Sequence, residues 1–174
     1  MSRERLLTLP NALSMSRLLL AAAFVVAGRP AARFTLLVVA SATDYLDGWF
    51  ARRRSAATRW GALIDPVADR AFVLTALCTF LFEGAITTAA YFTLLARDIA
   101  TAIGFLVARS VPWLRDVTFR ARWLGKIVTG LQLLTLVAVI VAPTVVPLLV
   151  LVVGAASAAS IADYTLMLWR ERAT

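Results

Sequence analysis

The sequence predicts an all-α integral membrane protein: a bundle of six transmembrane helices, a short amphipathic segment ahead of the first, and both termini in the cytoplasm. Three observations carry that expectation. The mean hydropathy is +0.82, and 61% of the 174 residues are hydrophobic against 16% charged, so most of the chain is better accommodated by hydrocarbon than by water. Mostly apolar stretches of roughly 20 residues, the length that crosses a bilayer core, can be placed six times. The basic residues, finally, are distributed unevenly between the two sides that such a topology would create.

In order, residues 1–9, with Arg3 and Arg5 among leucines, predict an amphipathic surface segment. A cleaved signal peptide is disfavoured, because Pro10, Asn11, Ser14, Ser16 and Arg17 interrupt the apolar run before Leu18. Spans follow at 12–28 and 32–51, the second ending on Asp44 and Asp47. A third at 62–83 begins with Asp65, Pro66 and Asp69, and proline near a helix start lacks an N–H that is not needed there. The fourth, 85–108, carries Arg97 and Asp98 well inside it, where unpaired charge costs several kcal/mol; they must face a polar cavity or pair with neighbours. The fifth, 124–142, starts at Gly125 and Lys126, and the sixth, 145–168, holds Asp163 near Arg170. These spans nearly exhaust the chain, so a single membrane domain over 1–174 is expected.

Of the 18 Lys and Arg residues, an in-start topology places only Arg29 and Arg33 in outside loops. Arg3, Arg5, Arg52, Arg53, Arg54, Arg59, Arg109, Arg115, Arg120, Arg122, Lys126, Arg170 and Arg172 fall inside, as the positive-inside rule requires. Trp49, Trp60, Trp113, Trp123 and Trp169 sit near the same ends and read as interfacial anchors. The net charge of +8 is strung along membrane boundaries, which points to lipid headgroups and phosphorylated substrates and away from nucleic acid. Cys78, the single cysteine, lies in an apolar stretch and reads as buried and structural. The absence of histidine removes imidazole bases, His-based metal sites and Ser-His-Asp chemistry.

The densest chemical signal is a register of aspartates, D-x2-D-G-x2-A-R-x8-G-x3-D-x3-D, spelled by Asp44, Asp47, Gly48, Ala51, Arg52, Gly61, Asp65 and Asp69. Asp44 and Asp47 are three apart and Asp65 and Asp69 four apart, so each pair projects from one face of its helix. Four carboxylates brought together in a partly dehydrated site need compensating cations. Oxygen-only ligands suit two divalent cations, Mg2+ or Mn2+, which also bind substrate phosphates. Gly48, Ala51 and Gly61 allow close approach to the backbone, and Arg52 offers a forked donor set to phosphate.

This register resembles the signature of the CDP-alcohol phosphatidyltransferases, integral membrane enzymes of phospholipid synthesis, with all eight positions matching. The resemblance implies transfer of a phosphatidyl group from CDP-diacylglycerol to an acceptor hydroxyl with release of CMP. It also implies a six-helix bundle, usually a homodimer, with its cavity open to the cytoplasm. Asp44, Asp47 and Asp65 would be metal ligands, and Asp69 the general base that also contacts the second metal. Gly48, Ala51, Arg52 and Gly61 would line the CDP site, together with Asn11. Pro10, Asn11, Leu13, Ser14 and Arg17 resemble the opening of the phosphatidylglycerophosphate and cardiolipin synthase branch, as do Arg97-Asp98 and Gly125-Lys126-x2-Thr129-x2-Gln132; Asp98 itself leans toward the cardiolipin synthases.

For the acceptor, Arg109, Arg115, Arg120, Arg122 and Lys126 gather on the aspartate side and could bind a phosphate. Lys126, the one lysine and at a helix start, is the first candidate. Glycerol 3-phosphate fits this basic set better than phosphatidylglycerol, whose phosphate is a diester. A cation transporter, the rival from another class, predicts carboxylates spread across membrane depth, whereas these crowd at one level. The expected home is a prokaryotic cell membrane.

Overall fold

A computed structural model describes the backbone of residues 9–51, 61–110 and 123–172, and the side chains of residues 16–43, 70–104 and 123–165. The described residues form α1 (Leu9–Val26), α2 (Pro30–Ala51), α3 (Gly61–Phe82), α4 (Thr88–Ser110), α5 (Trp123–Val141) and α6 (Val146–Arg172), with a 3-10 turn at Pro143–Val145 and no strand. All six expected helices are present. The largest differences are at helix ends: α1 starts at Leu9, taking in Pro10 and Asn11, α4 starts only at Thr88, and α6 continues to Arg172. The amphipathic segment expected at 1–9 lies, up to residue 8, outside the described residues.

The chain divides into two compact units, residues 1–85 and 86–174. In the first, α1 packs most extensively on α3 and less on α2. Phe24 of α1 is fully buried and meets Phe72 and Phe80 of α3 edge to face, with ring centroids 5.8 and 5.5 Å away, the geometry the ring quadrupoles favour. Pro30 opens α2 with its fixed φ and missing N–H in a place where neither is costly. α3 ends at Phe82, and the chain turns away at Gly84, whose φ of 71° is open to glycine without strain; the Gly84 N–H donates to Leu81 O and the Ala85 N–H to Phe80 O.

Arg33, in the first turn of α2, ties this end of the unit together. Its Nε donates to Ala27 O at 2.7 Å, and its two terminal nitrogens donate to the two carboxylate oxygens of Glu83, each at 2.5 Å. The guanidinium also lies 5.5 Å from the Phe24 ring centre and 5.8 Å from that of Phe80, within cation–π range. Glu83 sits just past α3, and Arg33 holds its carboxyl below the ordinary range, first by hydrogen bonding and then by charge.

In the second unit both α4 and α5 pack on α6. α6 is rich in small residues, and the fit there is close: a Cβ added to Gly154 would stand 2.9 Å from Thr93 Cγ2 of α4. Val153, Ser157 and Ser160 of α6 are buried, whereas Leu148 and Leu151 are exposed, as are Ile127 and Leu134 of α5.

Hydroxyl groups in both units are mostly satisfied within their own helix. Thr35, Ser41, Thr79, Thr93, Thr101, Thr129, Thr135 and Thr165 each donate to the carbonyl four residues earlier. Two helices among the described residues are long and apolar enough to cross a membrane, Trp123–Val141 and Pro143–Thr165, and shorter apolar helical stretches occur at Ser16–Val26, Pro30–Thr43 and Arg70–Phe82.

Candidate active site

α2 runs without a break from Pro30 to Ala51, and so through Asp44, Asp47 and Gly48. The first pair therefore keeps its helical register, about 4.5 Å apart along the axis. Gly48 lies inside the helix and makes no turn there. Gly61 is the first residue of α3, and Asp65 and Asp69 follow in its second and third turns, about 6 Å apart along the axis. Pro66 is near the start of α3 as expected, but as its sixth residue it lies past the first turn and supplies no N–H to the Ala62 carbonyl. Asn11 is the third residue of α1. The side chains of Asn11, Asp44, Asp47, Asp65 and Asp69, and the whole of Arg52, lie outside the described set, as do the side chain of Arg109 in the last turn of α4 and the whole of Arg115, Arg120 and Arg122. No cluster of three metal-ligating side chains occurs among the described residues.

The two aspartate pairs occupy the end of α2 and the beginning of α3, which the chain joins through residues 52–60. Arg33 and Glu83 clasp the opposite ends of the same two helices. Arg33 precedes Asp44 by eleven residues, about 16 Å of helix. Cys78 follows Asp69 on α3 by nine residues, about 13 Å, so no thiol accompanies the carboxylates. It is half-buried, not enclosed as expected, because it lies at the margin of the packed face that holds Leu77 and Phe80.

The second unit holds a buried polar cluster between α4 and α5. Arg97 is 8% exposed, yet its Nη1 reaches Asp98 Oδ1 and Thr129 Oγ1 only at 3.5 Å, and its Nε has no hydrogen-bond partner. Such distances are at the limit of hydrogen bonding. Gln132 is 1% exposed and donates through Nε2 to Leu94 O at 2.5 Å and to Asp98 Oδ2 at 2.9 Å. Both partners are acceptors, which fixes the orientation of the amide and leaves Oε1 buried without a partner. Gly125, Thr129 and Gln132 recur at i, i+4 and i+7, one face of α5, and a Cβ on Gly125 would collide with Arg97 Nη2.

Lys126 points elsewhere: it is exposed, with its ammonium 5.6 Å from the Trp123 ring centre. Arg97 is a buried cation of the second unit that the basic set read from the loop had omitted. The signal was available as an Arg97-Asp98 pair in the middle of a mostly apolar helix.

The CDP-alcohol phosphatidyltransferase family matches the chain over residues 7–168. Among its relatives is a protein of Aquifex aeolicus named CDP-diacylglycerol–glycerol-3-phosphate 3-phosphatidyltransferase, 36% identical over 110 residues that cover 59% of this chain and 62% of the relative. Proteins of the same name from Sodalis glossinidius and Escherichia coli K12 are 31% identical, over 79% and 74% of both chains respectively. With the aspartate register carried on α2 and α3 and the match running over nearly the whole length, the chain belongs to the CDP-alcohol phosphatidyltransferase family and is a membrane-associated transferase of phospholipid synthesis.

Proposed function

We propose that this protein makes phosphatidylglycerophosphate, transferring the phosphatidyl group of CDP-diacylglycerol to a hydroxyl of glycerol 3-phosphate with release of CMP. The observation that carries the reading is the unbroken helical course of α2 and α3 through Asp44, Asp47, Asp65 and Asp69, within the residues that the family matches. The names of the relatives support the acceptor.

The donor set fits hard divalent cations: four carboxylates, no histidine in the chain, and the one thiol about two and a half turns of helix away from Asp69. Asp44, Asp47, Asp65 and Asp69 would hold two such ions, Mg2+ or Mn2+. When bound, these cations supply charge neutralisation to the pyrophosphate of the donor. Gly48, Ala51 and Gly61 admit the nucleotide to the helix backbones, Arg52 donates to its phosphates, and Asn11 lies on the donor side of the site. The Asp69 carboxylate accepts the proton of the acceptor hydroxyl. The freed oxygen forms its bond to the diacylglycerol-side phosphorus as the bond from that phosphorus to the CMP oxygen breaks.

Arg97 receives the acceptor's phosphate in this reading, a buried guanidinium being well suited to an anion with several oxygens. Lys126, Arg109, Arg115, Arg120 and Arg122 draw anions to the same side of the membrane. α1 to α6 form six spans of a single membrane domain, usually paired as a homodimer, with both termini and the aspartates facing the cytoplasm. The charge bias supports that orientation, and so does the Arg33–Glu83 pair, which sets the α1–α2 turn level with the end of α3, opposite the aspartates. The test offers the purified protein CDP-diacylglycerol in vesicles with glycerol 3-phosphate, phosphatidylglycerol, serine or inositol phosphate. CMP release with glycerol 3-phosphate is expected. Release with phosphatidylglycerol alone would instead make it a cardiolipin synthase.

A further inference from the structure

We propose that Gly125 and Gln132 are positioning residues that keep Arg97 under-paired, and so available to the phosphate of the acceptor; this rests on the assignment of Arg97 just made. The protein contains its own comparison. Arg33 is matched to both oxygens of Glu83 at 2.5 Å, the forked arrangement that an arginine and a carboxylate adopt when nothing prevents it. Arg97 is more deeply buried and stands beside Asp98 in sequence, yet the two reach only 3.5 Å.

Two features hold them apart. Adjacent residues on a helix do not face one another, and the other oxygen of Asp98 is held by Gln132 Nε2, which also grips the α4 backbone at Leu94 O. Asp98 is thus anchored across to α5 and kept from closing on the guanidinium. Gly125, meanwhile, leaves room on α5 where any side chain would displace Arg97 Nη2, and that room brings no counter-charge with it. Arg97 Nε is left without a partner inside the protein. A buried cation so poorly compensated is costly in a resting protein. A phosphate monoester supplies the missing acceptors and the missing charge together.

The experiment compares Gly125→Ala and Gln132→Leu with the unaltered enzyme in vesicles, recording KM for glycerol 3-phosphate and KM for CDP-diacylglycerol separately, with inorganic phosphate as a competitor. Displacing a charge-assisted hydrogen bond should raise KM for glycerol 3-phosphate by roughly tenfold to a hundredfold. KM for CDP-diacylglycerol should stay unchanged, and competition by phosphate should weaken in step. A shorter cation should relieve the collision, so Gly125→Ala with Arg97→Lys should bind glycerol 3-phosphate more tightly than Gly125→Ala alone, a non-additive result that a helix-packing role would not give. Equal rises in both KM values, an unchanged KM for glycerol 3-phosphate, or additive double-variant behaviour would overturn the proposal. Absence of turnover with glycerol 3-phosphate in the unaltered enzyme would instead overturn the acceptor assignment on which it rests.

Discussion

Arg33 and Glu83 make unequal contributions to the same contact, and substituting each in turn should reveal it. Arg33→Ala removes both hydrogen bonds to Glu83, the hydrogen bond to Ala27 O, and a guanidinium resting against Phe24 and Phe80. The Glu83 side chain is 44% exposed against 12% for Arg33, so solvent screens the ion pair and limits its worth to about 1 kcal/mol or less. The carbonyl bond and the ring contacts are better shielded, at about 1 kcal/mol and about 0.5–1 kcal/mol per ring. Arg33→Ala should therefore cost about 2–4 kcal/mol, and Glu83→Gln no more than about 1 kcal/mol. Thermal unfolding of the detergent-solubilised protein, followed by circular dichroism, measures both. Because the folded Glu83 carboxyl is held below its unfolded value, its contribution is present above the ordinary glutamate range near 4.3 and is lost as pH falls through the lowered value. The gap between the unaltered protein and Glu83→Gln should close in acid, while the effect of Arg33→Ala persists. If Glu83→Gln proved as damaging as Arg33→Ala at neutral pH, the ring and carbonyl contacts would not be what gives Arg33 its weight.

Phe24→Ala should destabilise the protein by about 3–5 kcal/mol, since Phe24 is fully buried against two rings; the same unfolding measurement checks it. Gly154→Val should cost about 1–3 kcal/mol by overpacking α6 against Thr93, and Thr93→Ser in the same chain should restore part of that. Asp69→Asn should abolish CMP release with the helical circular dichroism spectrum unchanged, and near-normal activity would remove Asp69 from the role of base. Chelation with EDTA should stop turnover, and Mg2+ or Mn2+ should restore it where Ca2+ does so poorly, read as CMP released per minute.

The helices were legible because each contains a long, mostly apolar stretch bounded by residues that break it, though only two of them, Trp123–Val141 and Pro143–Thr165, are long and apolar enough to cross a membrane among the described residues. The aspartate register was legible for a different reason: its spacing is a statement about helix faces, and α2 and α3 are indeed helical through it. Contacts between distant helices were not. Gly125 read as a neighbour of Lys126, but its physical meaning comes from Arg97, twenty-eight residues earlier and on another helix. Likewise Arg33 read as a stray outside charge until Glu83, fifty residues on, was found beside it. Pro66 was legible as lying close to the start of α3, and the observed start at Gly61 differs from the expected one by a single residue.

The threonines that donate back to their own helices carry a consequence for the order in which the protein is built. A helix whose hydroxyls are already satisfied can enter hydrocarbon alone, before any neighbour exists to receive them. Insertion is in this way decoupled from assembly. Gln132 and Arg97 are different, since Leu94, Asp98 and Thr129 become their partners only across the α4–α5 boundary or within its reach. Among the described residues of the second unit, these polar groups are bonded across from α4 to α5, so they favour the pairing of those two helices over the wrong neighbours.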